Sequence, residues 1–284
     1  MSVTQLAEAT HLRRVGARPP LFSYLAEVWR RRAFITTLAT YRMRAKYEAN
    51  RLGIVWIALR PLVNAAVYGL IFGVIQTGAT RPKDYPVYVV VGVFAWEFFM
   101  GCFVDGSRSV TNSRNMVQSL AFPRMTLPLA VWAERLYSFL ITLVVLVPIL
   151  ILFHHYPSWR WLWCIPLFAL YAVFNAGVTM ILARLTVHVT DLAELLPYVS
   201  RILFYASGVL FSVDAVMKGH PTIIKLYDAY PMYQVLKMAR HFLTNDKGTS
   251  FPVQFWLYLS IAAVVTLVVG VLFFWSAEER YGRD

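Results

Sequence analysis

Long apolar runs decide what this chain can become. Several reach the ~20 residues needed to cross a ~30 Å hydrocarbon core, and charge, proline or glycine bounds each one. With 58% hydrophobic residues, 15% charged and a mean hydropathy of +0.55, the chain is not a soluble globular domain. The pattern predicts an all-α polytopic membrane protein with six transmembrane helices, over residues 54–76, 87–104, 127–153, 161–185, 197–213 and 255–275. Pro61 falls near the start of the first, and Pro148 inside the third predicts a kink. The fifth is short and contains Ser207-Gly208. Residues 1–20 read as a polar, basic tail without the apolar core of a cleavable signal peptide. Residues 21–52 read as an interfacial region and 53–284 as one six-span domain.

Between the second and third spans lies a stretch, residues 108–129, that is neither a tight turn nor a disordered linker. Its first part suits a short polar helix. Phe122-Pro123 stops that helix, because proline lacks an N–H donor and disfavours helix in the residue before it. Pro128 then sits in the first turn of the next run, where a missing N–H costs little. A short helix wedged between two membrane helices can receive a mechanical push; an ordinary loop with one helical turn is the plainer reading.

Residues 21–51 carry Phe22, Leu25 and Trp29, then Phe34, Leu38 and Tyr41, at helical spacing. Arg30, Arg31, Arg32, Arg42, Arg44, Lys46 and Arg51 make the other faces basic. Such a helix belongs in the headgroup plane, with its cations on anionic lipid, or else stands as a solvated helix.

The net charge of +12 would suggest nucleic acid in a soluble chain. Here the asymmetry of membrane loops accounts for it without a nucleic-acid partner. Basic residues crowd before the first span, after the sixth (Arg280, Arg283) and in the 108–128 loop (Arg108, Arg114, Arg124). The positive-inside rule therefore predicts a multi-pass inner-membrane protein with both termini and that loop in the cytoplasm. One conflict is the segment 213–252, which holds Lys218, Lys225, Lys237, Arg240 and Lys247 yet falls outside. Within it, residues 216–229 and 233–243 look helical, with Tyr230-Pro231 as a break. They are too apolar for a free loop and too interrupted to span. Two re-entrant helices covering an outer mouth fit, as do two helices lying flat on the surface.

Charges inside the spans are few: Arg60, Glu97, Glu134, Arg135 and Arg201. Each should face protein or water and find a partner. Arg60 and Arg201 are the candidates for Glu97, as a structural ion pair or a proton-coupling site. Trp96, Phe98, Phe99, Phe174, Tyr198, Phe204, Tyr205 and Phe211 recur within spans, where lipid or helix packing explains most such residues. Phosphate-binding loops, paired-histidine zinc motifs and nucleophile elbows are absent, so no catalytic site, metal or cofactor is expected on this chain. His154-His155 reads as interface, Asp191 with Glu194 as helix N-terminal capping, and Cys102 and Cys164 as apolar-run residues rather than a disulfide.

Residues 41–61, with Leu52, Gly53, Trp56, Pro61 and Leu62, resemble the entry signature of the ABC transporter permeases that export O-antigen, teichoic acid and related cell-envelope polysaccharides. Asn112, Asn115, Phe122, Pro123, Leu127 and Pro128 resemble that family's coupling segment. Asp191, Pro197, Phe204, Tyr205 and Ser207 resemble its fifth-span signature, and Tyr230-Pro231 through Arg240 its outer gate helices. The chain departs from the pattern at Thr190, at Gly208 where proline is usual, and at Glu97 where a neutral residue is common.

The resemblance implies a homodimeric permease with two copies of a separate ATPase, which would hold the ATP and Mg²⁺. Asn112, Asn115, Met116, Gln118, Leu120 and Phe122 would couple to that ATPase. Arg42, Arg44, Lys46 and Arg51 would meet the diphosphate of a polyprenyl-linked polysaccharide, a galactan-type precursor among the candidates. Trp96, Phe98, Tyr198, Phe204, Tyr205 and Phe211 would line the polymer path, since flat rings let a sugar chain slide. Tyr230, Pro231, Tyr233 and Arg240 would form the outer gate. A permease for small amphiphiles or drugs, or a membrane-embedded glycosyl or acyl transferase, stands as the alternative.

Overall fold

A computed structural model describes residues 19–48, 50–75, 82, 84–119, 122–244 and 253–278, and every element among them is helical. The chain opens with α1 (Leu21–Arg30) and α2 (Arg32–Glu48), broken at Arg31. Phe22 and Trp29 stand exposed on α1 while Tyr24 and Val28 are buried, the two-faced build expected of an interfacial helix. A 3₁₀ turn, Gly53–Val55, leads into α3 (Trp56–Ile75), with Pro61 inside it. Then come α4 (Tyr85–Met100), prolonged by a π-helical turn Gly101–Asp105, a 3₁₀ turn Thr111–Ser113, and the short α5 (Arg114–Ser119).

α6 (Thr126–Leu152) holds Pro148, as expected, and α7 (Cys164–His188) follows a 3₁₀ turn Trp159–Trp163. The rest is α8 (Leu192–Ala206), α9 (Val213–Val216), α10 (Pro221–Asp228), α11 (Pro231–Leu243) and α12 (Gln254–Trp275).

Among the described residues, five stretches are long and apolar enough to cross a membrane: Gly53–Ile75, Tyr85–Asp105, Thr126–Leu152, Trp159–His188 and Gln254–Trp275. The expected fifth span, residues 197–213, takes a different form. α8 begins five residues earlier and stops at Ala206, a helix of 15 residues. At ~1.5 Å per residue it is about 22 Å long, short of the ~30 Å hydrocarbon thickness. Its end is fixed at Gly208, whose φ of +75° is the left-handed conformation that closes helices.

Two helices form the centre. α4 is apolar all round and mostly buried, as such a helix must be. α11 is equally enclosed, with Met232, Val235, Leu236, Met238 and Ala239 at 0% exposure. A flat surface position is therefore excluded for α11, whereas α10 has no buried residue. Each of this pair starts on its proline, Pro221 or Pro231, at the first helical position, where a missing N–H costs nothing. α7 and α12 pack closest of all. A Cβ on Gly177 would lie 2.3 Å from the Thr266 carbonyl carbon, and one on Gly270 2.7 Å from Gly177 O. Paired glycines let the two backbones touch.

The helices run back and forth between two ends. At the near end lie α1, α2, α5, the start of α8 and the end of α12. At the far end lie the segment 207–216, the entrances to α4 and α12 and the end of α11, where Arg240 meets Tyr88 and Phe242 meets Trp256. The start of α11 lies deeper, with Met232 against Tyr171.

Candidate functional site

At the near end, α5 projects a polar face. Asn112, Asn115 and Gln118 are exposed, Met116 is half-buried and Val117 is buried. Leu120 lies outside the described residues. The segment is tied down on both sides of this face. Arg42 Nη2 of α2 donates to Ser113 Oγ at 2.8 Å, and Phe122 meets the ring of Phe34 at 5.6 Å. Arg108 Nη2 donates to Ala193 O at 2.7 Å and to Glu194 Oε1 at 3.0 Å, linking the segment to the first turn of α8. Glu194 is thus paired, while Asp191 sits at the N-cap without a side-chain cap bond.

The four cations expected to meet a diphosphate divide. Arg44, Lys46 and Arg51 are exposed and Arg42 is half-buried, but Arg42 and Lys46 each find a partner in the bundle. Burial lowers the pKa of Arg42, with Glu134 opposing the shift. Lys46 Nζ lies 3.6 Å from Asp105 Oδ2, and burial, helped by the Arg135 charge, lowers its pKa to about 8. Arg135 pairs with the same Asp105. Beside this cluster Arg60 stands over the ring of Tyr47, its guanidinium carbon 5.7 Å from the centroid. A small cavity of about 80 Å³ opens there, lined by Tyr47, Arg60, Glu97, Arg135 and Ser138 among others. Sequence reading expected a partner for Arg135 but missed Asp105 as the anion that it shares with Lys46.

A larger cavity, about 250 Å³, lies between α3, α4 and α8 and is lined by Asn64, Tyr68, Trp96, Glu97, Ser200, Arg201 and Phe204 with four apolar neighbours. Its aromatic wall is continuous: Phe204 meets Tyr68 at 4.9 Å, Trp96 at 5.5 Å and Tyr205 at 5.4 Å. Glu97 lines both cavities. Its hydrogen-bond partner is Asn64, whose Nδ2 lies 2.9 Å from Oε1, while Arg60 and Arg201 each share a cavity wall with it. Of the expected path residues, Trp96, Phe204 and Tyr205 come together. Phe98, two positions from Trp96 and so on another face of α4, stacks on Phe139 at 4.8 Å and meets Tyr171 at 5.4 Å. Tyr198 is exposed, and Phe211 sits at the far end with its carbonyl accepting from Tyr88 OH at 2.8 Å. Tyr68 joins the wall from α3, a helix whose aromatic residues the sequence reading left aside.

At the far end, Arg240 of α11 closes the broken end of α8. Its guanidinium donates to Gly208 O at 3.0 Å, Val209 O at 2.8 Å and Tyr88 O at 3.3 Å, and lies 3.3 Å from the Tyr88 ring centroid. Tyr85 OH donates to Leu210 O at 2.9 Å. Four successive carbonyls, from Gly208 to Phe211, are thereby satisfied by side chains of α4 and α11, as non-helical backbone buried among apolar helices requires. Gly92 makes room: a Cβ there would stand 2.7 Å from Arg240 Nη2. Tyr233 OH and Lys237 Nζ both reach Asp214, at 3.3 and 2.8 Å. Tyr230 holds the N-cap position of α11 without a side-chain cap bond, and Pro231 opens the helix.

A bundle of apolar helices, cut by an aromatic-walled cavity with a carboxylate and a guanidinium in its lining, is the build of a membrane permease. Residues 34–243 match the family described as ABC-2 type transporter, and the chain belongs to that family. Among its relatives, the O-antigen export system permease protein RfbA of Klebsiella pneumoniae is 27% identical over 243 residues, covering 85% of this chain and 90% of its own. RfbA of Myxococcus xanthus is 23% identical over 190 residues, covering 67% and 72%. The polysialic acid transport protein KpsM of Escherichia coli is 21% identical over 253 residues, covering 86% and 93%. The resemblance drawn from the motifs thus holds at the level of family.

Proposed function

We propose that this chain is the transmembrane subunit of an ATP-driven exporter that moves polyprenyl-diphosphate-linked polysaccharide outward across the inner membrane. The relatives named for O-antigen and polysialic acid transport support the substrate class. The observation that carries the reading is the larger cavity. Tyr68, Trp96 and Phe204 offer ring faces, while Asn64, Glu97, Ser200 and Arg201 offer hydrogen-bond partners, the mixture a sugar chain needs in order to slide without sticking. Two copies of the chain pair with two copies of an ATPase, both termini face the cytoplasm, and α8 with residues 207–213 makes the sixth, shortened crossing. The ATPase grips the exposed face of Asn112, Asn115 and Gln118. The cluster of Arg42, Lys46, Arg60 and Arg135 receives the diphosphate at the inner leaflet. α10 and α11 close the outer mouth.

Depletion of the protein tests the reading. Full-length lipid-linked polymer should accumulate inside the cell, with a galactan-type polymer the first to assay. Short, unfinished polymer would instead mark a transferase, and unchanged polymer would mark a permease for small amphiphiles.

A further inference from the structure

The projecting segment leaves through a joint that ties three distant parts of the chain together. Tyr24 OH of α1 donates to Glu278 Oε2 at 2.7 Å and accepts from Met125 N at 3.2 Å. Glu278 Oε1 accepts from Arg124 N at 3.0 Å, and the Arg124 guanidinium reaches the Glu278 carbonyl. Trp275 Nε1 donates to Pro19 O at 3.0 Å, holding the start of α1 against the end of α12. Tyr24 is 1% and Glu278 8% exposed. Burial raises the Glu278 pKa, opposed by its bonds to Arg124 and Tyr24.

Packing alone does not call for this arrangement. A buried carboxylate is costly, and an apolar pair of similar size would fill the space without it. Both Glu278 oxygens are spent on directional bonds, Oε1 to Arg124 N where the segment turns into α6 and Oε2 to Tyr24 of α1. Of the other ties between the interfacial helices and the segment, the Phe34–Phe122 contact has no directional bond and Arg42 to Ser113 runs through a long side chain with many rotamers. A tyrosine ring, by contrast, has two torsions and transmits displacement stiffly.

We propose that Tyr24 and Glu278 are positioning residues for transport: they form the rigid joint by which movement of the segment 111–125 drags the interfacial helices. The inference rests on the reading above, in which a separate ATPase moves that segment. α1 and α2 shift as one piece with Arg124-Met125, and the cation cluster of α2 moves with them.

The test uses the full chain co-purified with its ATPase and placed in vesicles. Tyr24→Phe keeps the ring and removes only the bridging hydroxyl. It should leave assembly and ATP hydrolysis intact while export per ATP falls about fivefold or more. Glu278→Ala should do the same. Glu278→Gln, whose amide oxygen still accepts from Arg124 N while its NH2 replaces the acceptor for the Tyr24 hydroxyl, should recover part of the loss and no more. Spin labels at Ser23→Cys and Val144→Cys, both exposed positions, should report a nucleotide-driven change in distance that vanishes when Tyr24→Phe is added. Export per ATP at the unaltered ratio with the distance change retained would overturn the joint and leave the driven-permease reading standing. Absence of nucleotide-driven export by the unaltered chain would overturn that reading, and the joint with it.

Discussion

Arg240 shows how one side chain can complete a helix that has no continuation. Arg240→Ala strips Val209 O of its donor and removes one of two donors from Gly208 O. Orphaned buried carbonyls cost ~1–3 kcal/mol each, so the variant should lose about 3 kcal/mol, seen as a lower Tm in detergent. Arg240→Lys should recover less than half, because a single ammonium cannot fork across successive carbonyls. Lys46 yields a pH prediction. Below about pH 8 it is charged in folded and unfolded chains alike. Between about 8 and the ordinary lysine value of 10.5 the folded chain has shed a proton that the unfolded chain keeps. Stability should therefore rise with pH across that window, and Lys46→Met should remove this increment in a Tm-against-pH comparison. Neither role was readable from the sequence. Tyr88 and Arg240 are brought together only by the packing of α4 against α11, and Lys46 and Asp105 only by that of α2 and the π turn against α6. Glu97 is instructive too: a search for opposite charge pointed to Arg60 and Arg201, whereas a neutral amide, Asn64, took the bond.

At the scale of elements, hydropathy located the long helices to within a few residues because length and apolarity are properties of composition. It overran at α8, since Val209 to Phe211 are as apolar as the helix before them and only the backbone of Gly208 marks the stop. The exposed polar face of α5 was readable from Phe122-Pro123 and the short polar run; its ties to α1, α2 and α8 were not, being long-range. Contact between α7 and α12 supplies the next prediction. Gly177→Ala forces a methyl group against the Thr266 backbone and should cost about 2 kcal/mol through separation of the helices. Gly69, inside α3, has nothing within 4 Å of its would-be Cβ. Gly69→Ala should therefore be neutral or stabilising by up to ~1 kcal/mol, and thermal unfolding of the two variants side by side separates packing from helix propensity.

For the whole molecule, the fold eases the charge conflict that the sequence left in the segment 213–252. The positive-inside rule counts cations in short loops near span ends. Lys237 is bound to Asp214 with its side chain 13% exposed, and Arg240 is enclosed by Tyr88 and the end of α8. These two are structural members of a buried helix, so they weigh little in the count. Lys218 and Lys225 are exposed, against Arg30, Arg32, Arg44 and Lys46, the exposed cations of α1 and α2, at the other end. The balance therefore favours cytoplasmic placement for α1, α2 and α5, and an outer placement for α10. Cysteine labelling in intact cells checks this, because the native Cys102 and Cys164 are buried. Lys225→Cys should react with a membrane-impermeant maleimide directly, and Gln118→Cys only after permeabilisation. The reverse pattern would place the projecting segment on the outer surface, beyond the reach of any cytoplasmic ATPase, and would remove the physical basis for driven export.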